Sequence, residues 1–161
     1  MKSGLISFII LFWMITTPSL SPGEEKSLYF LQLKIAETKE VLLSFPVQGG
    51  DRFYLYYIHS SDKTPILDTF LIEAEGQLVL IEEAYRWYGA GLEFQNHGDI
   101  NLIHGKQWVK VRLRRTLNDL YLRVGRVAQQ VFIYENQYVP LDSLVRPGEA
   151  ILISVNKEIG K

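Results

Sequence analysis

The chain has 161 residues, with 17 Lys plus Arg against 18 Asp plus Glu, three His and no Cys. A hydrophobic content of 47% and a charged content of 22% are typical of one folded domain rather than a disordered tail. The near-zero net charge disfavours a dedicated nucleic-acid binder. The absence of cysteine excludes disulfides, Cys-ligated zinc, iron–sulfur clusters and thiol catalysis.

The first 22 residues differ in composition from the rest of the chain. Lys2 precedes an apolar run over residues 5–15, and residues 16–22 end this run with small and helix-breaking side chains. A bilayer-spanning helix needs about 20 residues, so the run is too short to span but long enough for the core of a secretory leader. Residues 1–22 are predicted to be a signal peptide or short membrane anchor, with a buried core helix as the alternative.

This leader predicts an extracytoplasmic location for the rest of the chain, in the periplasm or cell envelope. The protein is then either secreted or held close to the membrane by its N-terminal segment.

Beyond Gly23, apolar and polar residues alternate with the period of two that β-strands produce. Nine segments follow this pattern: 28–35, 41–47, 52–59, 66–74, 77–88, 108–114, 120–124, 131–134 and 151–155. The one helical candidate after the leader is a single turn over 141–145. Residues 28–157 are therefore predicted to be a single all-β domain, an antiparallel β-sandwich or small barrel of about nine to ten strands, preceded by the N-terminal hydrophobic leader helix.

Two features of the strands bear on their positions. Segment 52–59 is apolar or aromatic on both faces, which predicts an interior strand. Segments 108–114 and 120–124 each carry basic residues on one face. If these two segments pair, their outer faces form a basic field for an acidic partner or anionic lipid headgroups, or simply a solvated sheet face.

No sequence signature of a nucleotide, flavin, haem, NAD or catalytic-metal site is present, and no cofactor is predicted. Gly89-Ala90-Gly91 follows a strand without a helix to receive a phosphate, so it is interpreted first as a tight bend or bulge. His97 and His104 lie in glycine-containing loops and are interpreted as surface residues.

The richest polar segment is a connection between two apolar strands. It reads His59-Ser60-Ser61-Asp62-Lys63-Thr64-Pro65. Loops that rigid strands hold in place often carry binding groups.

The hairpin after this segment has a predicted register. If Glu75-Gly76 is a two-residue turn, paired residue numbers add up to 151. This register pairs Ile72 with Val79, Leu71 with Leu80, Phe70 with Ile81, Thr69 with Glu82, Asp68 with Glu83 and Lys63 with Tyr88. It brings the polar loop and the Gly89-Ala90-Gly91 bend to one end of the sheet.

The resulting cluster contains His59, Asp62, Lys63, Asp68, Glu82, Glu83 and Arg86 among aromatic residues. Directly opposed carboxylates are unfavourable unless a cation, a shared proton or a bulge relieves them. Three interpretations follow: a structural ion network with Lys63 or Arg86, a ligand or peptide site, and a metal or catalytic site with a carboxylate base.

These residues resemble the family called domain of unknown function 1850. The resemblance rests on His59-Ser60, Asp62-Lys63-Thr64-Pro65, Asp68, Glu82 and Tyr88-Gly89-Ala90-Gly91-Leu92. The family pattern is His-Ser-x-Glu-Lys-Thr-Pro, an acidic residue three positions later, and Gly-Ala-Gly after about twenty more. This chain departs from it with the shorter Asp62 and Asp68 where Glu is commoner.

The resemblance implies a small exported all-β protein encoded beside tripartite (TRAP) transporters of the TAXI type. It therefore predicts an accessory or binding module whose partner is a TAXI substrate-binding protein or the TRAP permease. The alternative is a small metal- or carboxylate-dependent envelope hydrolase. A binding role is favoured over catalysis, because no nucleophile or base stands in a recognisable catalytic pattern.

Overall fold

The computed structural model describes residues 28–61, 63–86, 101–104 and 108–158. The predicted leader, Asp62, residues 87–100 with the Gly89-Ala90-Gly91 bend and His97, and the side chain of His104 lie outside the described residues. Within the described ranges, no helix has the length and apolar character needed to cross a membrane.

The described residues form eleven strands and one short 3₁₀ turn over Leu141–Ser143. The strands are β1 (Leu28–Ile35), β2 (Val41–Val47), β3 (Arg52–Ile58), β4 (Pro65–Ile72), β5 (Leu78–Tyr85), β6 (Asn101–His104), β7 (Val109–Leu117), β8 (Leu120–Arg123), β9 (Val131–Tyr134), β10 (Gln137–Pro140) and β11 (Ala150–Glu158).

These strands build two antiparallel sheets that face each other as a sandwich, which confirms the predicted fold class. The smaller sheet has the order β2-β1-β11-β8, and the larger has the order β10-β9-β3-β4-β5-β7-β6. The interior position of β3 was predicted from its two apolar faces. The four-residue strands β6 and β10 were not predicted.

Segments 108–114 and 120–124, for which the sequence left pairing open, do not pair with each other. Strand β7 pairs with β5 and β6, whereas β8 pairs with β11, so the chain changes sheets between β7 and β8. Three of the four basic residues of β7 instead meet acidic residues of the β4–β5 hairpin. Lys110 and Arg112 approach Glu82, and Arg114 contacts Glu73.

The core lies between the sheets and is rich in aromatic rings. Phe45 of β2 stacks on Phe132 of β9 with ring centroids 5.8 Å apart, which joins the smaller sheet to the larger. Within the larger sheet, Phe53 stacks on Phe70 at 4.8 Å, and their rings are nearly parallel at 5°. Such pairs contribute about 0.5–1.5 kcal/mol beyond the burial of their area.

The β4–β5 hairpin has the predicted pairing of strands but not the predicted turn. Glu73 donates its amide to the carbonyl of Gln77 at 2.9 Å, so three residues, Ala74-Glu75-Gly76, form the loop. Gly76 has a φ of +81°, the left-handed conformation that glycine adopts most easily in three-residue hairpin loops.

The longer loop shifts the register by one residue near the turn. The observed pairs there are Phe70 with Leu80, Leu71 with Val79 and Ile72 with Leu78, so the three apolar pairs predicted for this region are wrong. A bulge at Ile81 then restores the predicted register, and Thr69 lies opposite Glu82 and Asp68 opposite Glu83.

Alanine substitutions at Gly50 and Gly76 distinguish the cost of a left-handed backbone from the cost of steric crowding. A Cβ at Gly76 would lie 2.8 Å from Cδ1 of Tyr29, whereas a Cβ at Gly50, whose φ is +100°, meets nothing within 4 Å. Gly50→Ala is expected to lower the free energy of unfolding by about 1–2 kcal/mol through strain alone. Gly76→Ala is expected to cost about 1–3 kcal/mol more, because the Tyr29 ring must move. Urea denaturation measures both, and equal losses would contradict the crowding at Gly76.

Candidate functional site

An acidic pair lies on the inner face of the larger sheet. Asp68 of β4 is directly opposite Glu83 of β5, and the exposed fraction of Asp68 is only 9%. The same face carries the apolar residues Ile66 and Phe70 on either side of Asp68 in the strand. The pair therefore lies between two apolar clusters rather than in solvent.

Two tyrosines accompany the carboxyl groups. The Tyr85 hydroxyl donates to Oε2 of Glu83 at 2.9 Å. The Tyr57 hydroxyl forms a hydrogen bond with the carboxyl group of Asp68. Oδ1 of Asp68 is buried and has no hydrogen-bond partner among the described residues. We call Tyr57, Asp68, Glu83 and Tyr85 the inner acidic row.

No cation neutralises the inner acidic row within the part of the chain that the structure describes. The Nζ atom of Lys63 donates to the carbonyl of Ser60 at 2.6 Å instead of reaching Asp68. Arg86 likewise forms no ion pair with a described residue. The ion network that the sequence suggested, with Lys63 or Arg86 between the carboxylates, is not formed by these residues.

The electrostatics of the row favour protonation of Asp68. Burial, and secondly the negative charge of Glu83, raise the pKa of Asp68 from 3.8 to about 7, although the hydrogen bond from Tyr57 opposes the rise. Burial and the nearby carboxylates also raise the pKa values of Tyr57 and Tyr85. Both phenols therefore remain hydrogen-bond donors at neutral pH.

Glu82 faces the opposite way from this row. It pairs with Thr69 and Arg112 across the sheet, and Lys110 donates to its Oε1 at 2.8 Å. Successive residues of a strand point to opposite faces, so Glu83 rather than Glu82 shares a face with Asp68. Because the sequence predicted the Asp68–Glu83 pair, the alternation of side chains along β5 was enough to place Glu82 on the opposite face. The same alternation points to Tyr57 and Tyr85, which the sequence analysis did not include in the site.

The described residues of the polar segment form a tight loop between the end of β3 and the start of β4, and we call these residues, 59–61, 63 and 64, the motif loop. The amide of His59 donates to the carbonyl of Thr64 at 2.8 Å, and the amide of Lys63 donates to the carbonyl of His59 at 3.1 Å. Ser61 Oγ and His59 Nδ1 are hydrogen-bonded at 2.9 Å. Lys63 has a φ of 58°, which is uncommon for a residue with a side chain.

The structure thus distributes the predicted site residues over three places. His59, Ser60, Lys63 and Thr64 are in the motif loop, which Pro65 follows; Asp68 is on the inner face; and Glu82 is on the outer face. Thr64 and Asp68 are four residues apart in extended chain, so their Cα atoms lie about 13 Å from each other. Asp62, Tyr88, Gly89, Ala90 and Gly91 lie outside the described residues.

The inner acidic row suits proton binding better than metal binding. Among the described residues, no group of three or more His, Asp or Glu side chains is placed to hold a metal ion. Two carboxyl groups side by side, one with a raised pKa, can hold a proton between them or pass one to a bound group.

A cleft of about 470 Å³ lies at the opposite end of the sandwich, away from the motif loop. Leu28, Asp51 and Tyr134 are among the residues that line it. The Tyr134 hydroxyl donates to Oδ2 of Asp51 at 3.2 Å. Burial and the charge of Asp51 raise the pKa of Tyr134 to about 12, so this hydroxyl keeps its proton and links β9 to the β2–β3 connection. None of the motif residues that the structure describes lines this cleft.

The fold and the motif loop together define an antiparallel β-sandwich protein with a polar, ordered loop at one end of its larger sheet. Residues 53–141, more than half of the chain, match the family described as Domain of unknown function (DUF1850). The chain belongs to this family. The matched range includes the motif loop and the inner acidic row. No curated protein and no solved structure matches the chain.

The raised pKa of Asp68 predicts a pH-dependent stability. The pKa of Asp68 is higher in the folded state than in the unfolded state. The contribution of Asp68 to the free energy of unfolding is therefore complete below about pH 4 and is lost as the pH rises through about 7. The groups that face it are Tyr57, Glu83 and Tyr85. The loss from pH 4 to pH 8 is expected to reach up to about 4 kcal/mol in wild type. Asp68→Asn cannot ionise, so it is expected to be the more stable protein at pH 8.

The measurement is the difference in unfolding free energy between wild type and Asp68→Asn, from urea titrations at a series of pH values. Glu82→Gln is the matched control, because Glu82 lies on the outer face and its removal leaves the inner acidic row intact. A difference between wild type and Asp68→Asn that does not change from pH 4 to pH 8 would contradict the assignment.

Proposed function

We propose that this chain is an extracytoplasmic accessory or binding module of a TRAP solute-uptake system of the TAXI type. The observation that carries the proposal is the motif loop, a polar, internally hydrogen-bonded segment at one end of a rigid sheet. Membership of the DUF1850 family supports the proposal, because the motif that characterises the resemblance lies in and next to this loop.

The exposed polar side chains and the left-handed residue of the motif loop favour a role in binding a partner over a role as a simple connection between strands. Ser60, Ser61 and Lys63 are exposed, so their polar groups do not support the core. The left-handed backbone of Lys63 costs about 1 kcal/mol or more, a cost that a simpler turn would avoid. Because the loop is already ordered by its own hydrogen bonds, a partner that binds it loses little conformational entropy.

The location in this proposal rests on the leader. A positive residue, an apolar run and helix-breaking residues make residues 1–22 a signal peptide or a short membrane anchor. Either form would bring the sandwich to the compartment in which a TAXI substrate-binding protein meets its permease.

A carboxylate-dependent envelope hydrolase is the second candidate, and one observation favours it. Asp68 is a buried carboxyl group with a pKa near 7 beside a second carboxyl group, which is how enzymes prepare a general acid or base. An enzyme would lose its activity in Asp68→Asn, whereas a binding module would keep its partner affinity when the fold is intact.

The partner prediction is tested by co-expression of the full chain with the TAXI substrate-binding protein and permease of the same genome. We expect the tagged chain to co-purify with at least one of these two proteins. The variant Ser61→Ala, which removes the hydroxyl that orients His59, is expected to weaken capture by about threefold to tenfold at unchanged melting temperature. The control Ser143→Ala also loses a side-chain hydrogen bond, outside the motif, and is expected to be captured normally. Failure of the wild-type chain to capture either protein would contradict the proposal.

The location prediction is tested by fractionating cells that express the chain with its native N-terminus. We expect the protein in the periplasmic or membrane fraction, and protease added to spheroplasts should digest it. Recovery of the full-length chain only in the cytosol would contradict an extracytoplasmic function.

A further inference from the structure

The inner acidic row contains a buried acceptor that no protein group fills. Oδ1 of Asp68 receives no hydrogen bond, although only 9% of this residue is exposed. In the ionised carboxylate Oδ1 is an acceptor without a donor, and in the carboxylic acid it is an unfilled acceptor or an unpaired hydroxyl. Buried polar atoms in native proteins nearly always have a partner, so this atom points to a group that is bound from outside the chain.

Glu83 offers a second acceptor at the same place. The Tyr85 hydroxyl donates to Oε2 of Glu83, and no described residue donates to its Oε1. Asp68 and Glu83 are directly opposite each other in the sheet. Directly opposed residues have Cβ atoms about 4.5–5.5 Å apart, so one small bound group can reach both carboxyl groups.

The neighbouring strands supply no positive charge to these acceptors. Leu55 lies opposite Asp68 on β3, and Val111 lies opposite Glu83 on β7. Three basic residues of β7 pair with Glu82 or Glu73, outside the inner acidic row. The remaining one, Arg115, is four residues from Val111, or about 13 Å along the strand.

A water molecule, a metal ion or an organic cation could fill the two acceptors. Water can donate to Oδ1, but it leaves two adjacent carboxyl groups without a counter-charge. A metal ion would lack ligands, since no three His, Asp or Glu side chains converge among the residues that the structure places. An ammonium group carries N–H donors and a positive charge together, so it satisfies both oxygens and lets both carboxyl groups ionise.

The surroundings of the row suit an alkyl group. Ile66, Tyr85 and Val111 form a buried cluster, and Tyr57 and Leu113 pack against it. This cluster is next to the carboxyl groups, because Ile66 is two residues from Asp68 and therefore on the same face of β4. A ligand with a charged head and a short apolar tail matches both parts of the site.

We propose that the inner acidic row binds an alkylammonium group, the protonated form of a small primary amine, between the carboxyl groups of Asp68 and Glu83. The ammonium donates to Oδ1 of Asp68 and Oε1 of Glu83, and the alkyl chain lies against Ile66 and Val111. Where Asp68 holds a proton before binding, that proton passes to solvent as the cation enters. The inference goes beyond the proposed function, because it concerns a ligand of this chain and not its protein partner.

The experiment is calorimetric titration of the purified full-length chain with n-butylammonium chloride at pH 6 and pH 8. Two matched compounds separate the requirements of the site: 1-butanol keeps the alkyl chain and lacks the charge, and butyltrimethylammonium keeps the charge and lacks the N–H donors. The variants are Asp68→Asn and Glu83→Gln. The control Glu82→Gln removes the neighbouring carboxylate, which is on the outer face.

We expect wild type to bind butylammonium about tenfold more weakly at pH 6 than at pH 8, because the proton on Asp68 must be displaced at the lower pH. The amine itself stays protonated at both pH values. At pH 8, Asp68→Asn and Glu83→Gln are each expected to weaken binding by about tenfold or more, and Glu82→Gln by less than about twofold. The alcohol and the quaternary ammonium should each bind at least about tenfold more weakly than butylammonium. Melting temperatures of the three variants verify that the fold is intact.

Three results overturn the inference. No binding of butylammonium to folded wild type at pH 8 means that water or a proton alone fills the row. Equal binding by wild type, Asp68→Asn and Glu83→Gln means that the amine binds elsewhere. Equal binding of 1-butanol and butylammonium means that the site requires a donor but no charge. None of these results bears on the capture of a TAXI protein, so the proposed function stands or fails by its own test.

Discussion

Asp68 lies opposite Glu83 on the inner face of the larger sheet, and no described residue supplies a positive charge to either. Moving a carboxylate out of water is costly unless it is paired, so this arrangement favours a proton on Asp68 over a second negative charge. The surrounding residues are consistent with this requirement. Tyr57 and Tyr85 provide hydroxyl groups, and the apolar clusters on either side keep the local environment poorly solvated.

One extra residue in β5 decides which glutamate lies opposite Asp68. The three-residue turn at Gly76 shifts the register near the turn, and the bulge at Ile81 shifts it back before Glu82 and Glu83 are reached. Without that correction, strand alternation would place a different acidic residue beside Asp68. A local backbone irregularity thus decides which carboxyl group interacts with Asp68, and so which group contributes to its raised pKa.

The two parts of the family motif have different physical roles. Asp68 is buried, so its effects appear in stability and in its dependence on pH. The motif loop is exposed and ordered by its own hydrogen bonds, so its side chains are available to a partner without disturbing the core. Pro65 and Ile66 connect the two along one strand, which keeps the loop at a fixed distance from the inner acidic row.

The sequence by itself determined the fold class, most strand positions and the Asp68–Glu83 pair. Period-two alternation depends on one buried face, and β1, β2 and β9 therefore appeared at the predicted residues. Tertiary structure alone decided that β7 and β8 belong to different sheets, because both have the same alternating pattern and the choice of neighbour depends on packing between distant strands. It also decided that Glu82 points outward to Lys110, and that residues 124–130 lie beside the motif loop. These arrangements join residues far apart in the chain, and local propensity carries no information about which distant segment a strand or loop will meet.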